Sequence, residues 1–140
     1  MAKTYDPKDY SIIVGGHIVE GFADGTFINV ARNEDTWALS VGAGGEGARA
    51  KSNNKSGTVV LTLMQTSRSN SVLSGFHNAD ELNNGGQVPV LIKDNNGDTV
   101  AEATTAWVRK PADIERAKEI SNTEWTLETD KLIMLVGGLE

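Results

Sequence analysis

The chain contains no cysteine, which excludes a disulfide framework, a thiolate metal site and a catalytic thiol. It has only two histidines, His17 and His77, and they are not at ligand spacing. His17 reads as a strand residue beside a turn, and His77 as a helix residue at the surface or against a sheet. A triad, a paired metal site or a general-base constellation needs several groups in a recognisable arrangement, and none is present, so neither an enzyme nor a cofactor is expected. Long apolar runs are also missing. The longest near the end, Leu132–Val136, falls far short of the ~20 residues that span a bilayer. The opening MAKTYDPKDY lacks the apolar centre of a secretory signal, so a soluble, cytoplasmically made chain without a membrane partner is expected. Positive charge is scarce: 13 Lys and Arg stand against 19 Asp and Glu, a net charge of −6. That balance argues against wrapping nucleic acid, which needs clustered cations.

The 140 residues fit one domain, 1–140, against a prior of ~100–200 residues, and a chain of this length sustains its own core. Its 15 glycines point to turns and a β architecture. Tyr10–Val14 and Ile18–Phe22 are β-branched runs around Gly15-Gly16, a pair suited to a tight hairpin. Asp24-Gly25 precedes a strand at Thr26–Arg32. In Thr36–Val41, Trp37, Leu39 and Val41 alternate with Thr36, Ala38 and Ser40, the pattern of a half-buried strand. Thr58–Thr66 repeats it, with Val59, Leu61 and Leu63 on one face and Thr58 on the other.

The period then changes. Leu73, Phe76 and Leu82, with Val72 and Ala79, make a helical stripe over about 69–82, and Ser69 or Asn70 can cap it. Asn83–Gly86 supplies its positive-φ stop. Val88–Lys93 and Thr99–Val108 flank Asn95–Asp98, a type I′ hairpin signal, and Pro89 suggests a sheet edge. Pro111–Ile120 leaves helix and irregular chain both open. Thr123–Thr129 alternates, and Lys131–Val136 reads as a strand covered on both faces. The three tryptophans fall on positions that look core-facing. About eight short strands with one packed helix predict a mainly β fold, a two-sheet β-sandwich or small barrel.

Two local patterns imitate ligand sites. Gly42-x-Gly44-x-x-Gly47 matches the dinucleotide fingerprint, but no helix pattern follows and the acidic ribose anchor is missing. Asp94–Asp98 hints at a calcium loop, yet Thr99 and Thr105 stand where glycine and glutamate are required.

Gly42–Gly57 is more informative. These sixteen residues hold no apolar side chain larger than alanine, and so long a structureless loop in a compact domain is usually functional or disordered. From Gly42 to Asn70, Arg49, Lys51, Lys55 and Arg68 face Glu46 alone, so a segment of +3 sits on a remainder of −9. A basic flexible arm on an acidic body suits a subunit that grips its neighbours, because opposite fields steer and register an interface.

Ser11-Ile-Ile-Val-Gly-Gly16, Gly21-Phe-Ala-Asp-Gly-Thr-Phe27, Lys51-Ser-Asn-Asn54, Gly57-Thr-Val59 and Leu61-Thr-Leu-Met-Gln-Thr-Ser67 resemble the tail tube proteins of contractile-tailed bacteriophages. The likeness extends to Ser69-Asn70, Leu73–His77 and Glu124-Trp-Thr-Leu-Glu128, nearly the whole chain. It implies a homo-oligomer of hexameric rings stacked into a tube inside a tail sheath protein, conducting double-stranded DNA at infection. Such a subunit would reside in the virion tail after assembly in the host cytoplasm. In that family a long loop reaches the adjacent ring, which here puts Glu46, Arg49, Lys51, Asn53, Asn54 and Lys55 at the inter-ring contact. Strands beside that loop help line the channel, so Thr36, Ser40 and Thr58 are lumen candidates. Charge favours Glu124 and Glu128 instead, because an acidic wall repels phosphates. Two other readings stay open: a tube subunit of a bacterial contractile injection or secretion system, and a β-domain that binds a small ligand beneath residues 42–57.

Overall fold

Gly15 and Gly16 take φ values of 59° and 83°, the left-handed pair that a type I′ turn requires. They join β1 (Tyr10–Val14) to β2 (His17–Ile18), with Val14 opposite His17. A computed structural model describes residues 2–139. After β2 come β3 (Ile28–Arg32), β4 (Trp37–Val41), β5 (Gly47–Lys51), β6 (Gly57–Met64), helix α1 (Ser69–Asn83), β7 (Val88–Asp94), β8 (Val100–Val108), β9 (Asn122–Thr129) and β10 (Ile133–Leu135). The fold is therefore mainly β with one α-helix, and its two sheets are very unequal. Eight strands form an antiparallel sheet in the order β2-β1-β7-β8-β9-β6-β3, with β10 also on β8; β4 and β5 make a separate pair.

The large sheet curls because one segment bonds to strands far apart in it. Val19 N–H donates to Ile12 O of β1, while Ala23 N–H donates to Thr62 O and Gly21 O accepts from Met64 N–H of β6. Inside the curl sit the alternate residues that period two selects. Val59, Leu61 and Leu63 of β6 and Trp125 and Leu127 of β9 are at most 3% exposed, as are Ile12 and Val14 of β1. Leu73 of α1 completes the core at 0%. Leu132 is equally buried, and the missing side chain of Gly57 admits it: a Cβ there would strike Leu132.

Helix α1 keeps the expected position, but Ser69 and Asn70 do not cap it. The Ser69 hydroxyl, 1% exposed, accepts from Glu20 N–H at 3.0 Å and lies 2.9 Å from His17 Nε2. Asn70 donates to Met64 O and accepts from the Trp125 indole at 2.9 Å. Both side chains tie the helix to strands rather than to its own amides. The helix ends on Asn84, at φ 60°, in the left-handed region. Leu82, 85% exposed, lies off the buried stripe.

Other expectations are corrected. Pro111–Ile120 is irregular and mostly exposed, with no helix. Pro89 lies inside the sheet, at a register shift between β7 and β8, because a bulge tolerates the missing N–H as well as an edge does. The β7–β8 hairpin forms, but no residue from 95 to 98 has a positive φ, so its turn is not type I′. Ile18–Phe22 shrinks to the two-residue β2 with an isolated bridge at Phe22. Lys131–Val136 is not covered on both faces: Ile133, Leu135 and Val136 are exposed and only Leu132 is buried. Of the tryptophans, Trp125 alone is in the core; Trp107 is half-buried and Trp37 exposed.

Candidate assembly interface

The stretch read as structureless is half paired. β4 and β5 oppose each other from Trp37↔Lys51 to Val41↔Gly47, leaving a short turn in which Gly42 N–H donates to Glu46 O at 2.8 Å. Gly45 takes φ 85° there. The sequence carries a signal for β5: in Gly47-Ala-Arg-Ala-Lys51, small and basic residues alternate, a period-two pattern without large apolar members. Segment 42–57 is therefore a turn, a strand and a return rather than one unpaired loop.

This hairpin prolongs β3 and β6. Their register runs Ile28↔Leu61 to Arg32↔Gly57. Beyond it, Asn33 N–H donates to Ser56 O, and Ser52 N–H donates to Thr36 O. The second strand has one residue more between those points, the signature of a bulge that bends and twists the pair. Side chains stiffen the bend: Asn33 Nδ2 donates to Ser56 Oγ at 3.1 Å, and Thr58 Oγ1 donates to Asn33 Oδ1 at 2.9 Å. The root is clamped from behind by Arg32, whose Nε and Nη2 donate to Leu132 O at 3.1 and 2.9 Å.

All ten strand residues of the hairpin are exposed, so it projects from the body. Directly opposed residues share a face. Trp37, Leu39 and Val41 therefore lie with Lys51 and Arg49, while Ala38 and Ser40 lie with Ala50 and Ala48. The first face is apolar and basic, and the Arg49 guanidinium sits 3.9 Å from the Trp37 ring centroid. The expectation that Trp37, Leu39 and Val41 face a core is overturned, with exposures of 46%, 75% and 62%. Period two reveals that a strand has two faces; it does not reveal what covers either one.

The expected contact residues divide accordingly. Glu46 is at the turn, Arg49 and Lys51 are on the hairpin, and Asn53, Asn54 and Lys55 are in the return. Asn54 Oδ1 accepts from Ser56 N–H and Oγ–H, and Lys55 O accepts from Leu132 N–H. Lys55 therefore marks the root. Among the described residues the ion pairs are Arg109–Glu128 and Lys110–Asp113, with His77 Nδ1 3.7 Å from Glu81, and none of these contacts involves Arg49, Lys51 or Lys55.

The lumen candidates separate into two places. Thr36 and Ser40 belong to the hairpin. On the large sheet, the outward rows run Ala31–Thr58–Glu128–Trp107 and Thr62–Glu124, which joins Thr58, Glu124 and Glu128 on one surface. Arg109 Nε lies 3.0 Å from Glu128 there.

Five surface hollows of 240–690 Å3 are lined by residues outside 42–57, so the hairpin does not roof any of them. Among the described residues no group of three His, Asp or Glu could hold a metal, and no helix is long and apolar enough to cross a membrane. Burial, and secondarily the Asp94 carboxylate, raises the Tyr10 hydroxyl above its ordinary pKa.

Comparison with known proteins finds relatives over nearly the whole chain. "Structural protein ORF10" of Pseudomonas phage KPP10 is 26% identical over 143 residues, covering 96% of this chain and 83% of the relative. The fold is shared with chains of contractile injection assemblies solved by cryo-EM. A chain of the anti-feeding prophage tube-terminating cap has a TM-score of 0.65 at 12% identity, covering 96% of this chain and 94% of that one. A chain of the PVC sheath-tube complex in the extended state has a TM-score of 0.63 at 13% identity, covering 94% and 91%. The bacteriophage PhiTE tail tube protein family matches residues 11–137, and the chain belongs to that family.

Proposed function

We propose that the chain is the repeating subunit of a contractile phage tail tube, a structural rather than catalytic protein of the virion. Residues 1–140 act as one domain, assembled in the host cytoplasm into hexameric rings that stack within a sheath. Double-stranded DNA passes through the bore without specific binding. The observation that carries this reading is the projecting β4–β5 hairpin. Its apolar, basic face is uncovered among the described residues, and burying the apolar part of it against a neighbour is favourable by roughly 25 cal/mol per Å2. Family membership and the sheath–tube and cap assemblies that share the fold support it.

In this reading Glu46, Arg49 and Lys51 touch the next ring, while Asn53, Asn54 and Lys55 hold the hairpin at its root. The outward face with Thr58, Glu124 and Glu128 borders the bore. Its carboxylates repel phosphates, and Arg109, paired with Glu128, neutralises only part of that charge.

The shared fold with cap and terminator chains favours one alternative, a single terminating ring. Quantitative mass spectrometry of purified tails, combined with immunogold labelling, separates the two. A tube subunit occurs in copy number similar to the sheath protein and labels the length of sheared or contracted tails. Six copies per tail, labelled at one end, would overturn the proposal. Six-fold averaging of tails by cryo-EM tests the ring size.

A further inference from the structure

We infer that the hairpin of one copy seats in a specific hollow of the next, walled by Tyr10, Ile18, Phe22 and Phe27 and bordered by Glu20 and Asp24. The inference rests on the tube reading and names the surface that receives the arm.

The hollow measures about 690 Å3, within the ~300–1,000 Å3 typical of binding sites. Its walls are largely apolar. Phe22 and Phe27 pack with ring centroids 5.1 Å apart, and Ile18 beside them is 59% exposed. The charged side chains at the hollow are Glu20, Asp24 and Lys8, a net charge of −1; all three are exposed and belong to none of the ion pairs among the described residues. The hairpin presents the complement: Trp37, Leu39 and Val41 for the apolar walls, Arg49 and Lys51 for the carboxylates. Tryptophan and arginine are the side chains that most often anchor an interface in a pocket, and here they are already stacked on each other.

The topology makes the occupant a second copy. Phe27 immediately precedes β3 and Arg32 ends it. The hollow therefore lies at one end of a five-residue strand, ~3.4 Å per residue, and the hairpin leaves from the other end. A subunit with its plug at one end and its socket at the other makes a heterologous contact, which propagates instead of closing on a pair. In this proposal that contact is the one between stacked rings.

Because the chain lacks cysteine, cross-linking can test the register directly. In tails from phage carrying Leu39→Cys with Ile18→Cys, mild oxidation should produce a ladder of linked chains on a non-reducing gel. Leu39→Cys with Leu82→Cys, on the exposed helix face, should give at least about tenfold less. Normal tails in which the two pairs link equally would overturn the socket while leaving the tube reading intact. A wild-type chain absent from the tail tube by immunolabelling would instead overturn the tube reading. Charge exchange provides the second arm. Arg49→Glu alone should lower tail yield by about tenfold or more, and adding Glu20→Lys and Asp24→Lys to that chain should restore it. Failure to restore would also overturn the socket.

Discussion

The guanidinium of Arg49 lies over the indole of Trp37, 3.9 Å from the ring centroid, on a strand pair whose residues are all exposed. Diagonal neighbours on one hairpin face thus hold each other in place before any partner arrives. Such a contact contributes about 0.5–1 kcal/mol at an exposed site, too little to matter for folding. Its value is preorganisation, since an ordered anchor loses less freedom when it docks.

Replacing Arg49, Lys51 and Lys55 together with serine should therefore change unfolding stability by no more than about 1 kcal/mol. Ring stacking should weaken markedly. Urea denaturation of the isolated subunit and electron microscopy of tails would measure the two effects; unchanged assembly of the triple variant would contradict the role assigned to this face.

Hydrogen exchange should distinguish the free subunit from the tube. Every strand residue of the hairpin is exposed, so amides of residues 37–51 should exchange quickly in the free subunit, by local opening. In assembled tails they should be protected, while β6 and β9 are slow in both states. Equal protection of the hairpin before and after assembly would count against an inter-subunit contact.

Trp125 is 3% exposed, and its indole N–H has Asn70 Oδ1 as partner at 2.9 Å. Asn70→Ala leaves that donor buried without an acceptor, a cost of about 1–3 kcal/mol. A lower thermal midpoint with unchanged secondary structure by circular dichroism is expected. Adding Trp125→Phe to Asn70→Ala should cost less than the two single changes together.

Gly57→Ala introduces a Cβ into the space of the Leu132 side chain, with Ala31 O only 3.1 Å away. Overpacking of this kind costs about 1–3 kcal/mol. It also strains the hairpin root, because Leu132 O receives the Arg32 guanidinium. Denaturant midpoints should show Leu132→Ala absorbing part of that loss in the double variant.

Tyr10 links folding to alkaline pH. Its folded pKa is raised above 10.0, first by burial and then by Asp94, so the folded state keeps the phenolic proton longer than the unfolded state does. The corresponding stability is complete below pH 10 and is lost as pH rises through the folded value. Urea midpoints measured from pH 9 upward should fall more steeply in the wild type than in Tyr10→Phe.

Several elements can be read directly from the residues. Gly15-Gly16 specifies its turn because few other pairs adopt two successive positive φ values. Val59, Leu61 and Leu63 identify one face of a strand because apolar side chains recur there at period two. The charge separation between Arg49, Lys51 and the acidic remainder is a property of composition, and the family likeness was carried by the same local motifs. What the tertiary structure decided is which faces stay uncovered. Trp37, Leu39 and Val41 have the alternation of a core strand, yet the bulge between Asn33 and Ser56 carries them clear of the sheet. Their exposure depends on pairing between residues some twenty positions apart, which alternation along one strand does not encode. The same holds for the hollow of Tyr10, Ile18, Phe22 and Phe27, assembled from segments that approach only because Val19–Ala23 bonds to both β1 and β6. Local chemistry selects turns and strand faces; long-range backbone pairing determines which of those faces remain for a neighbour.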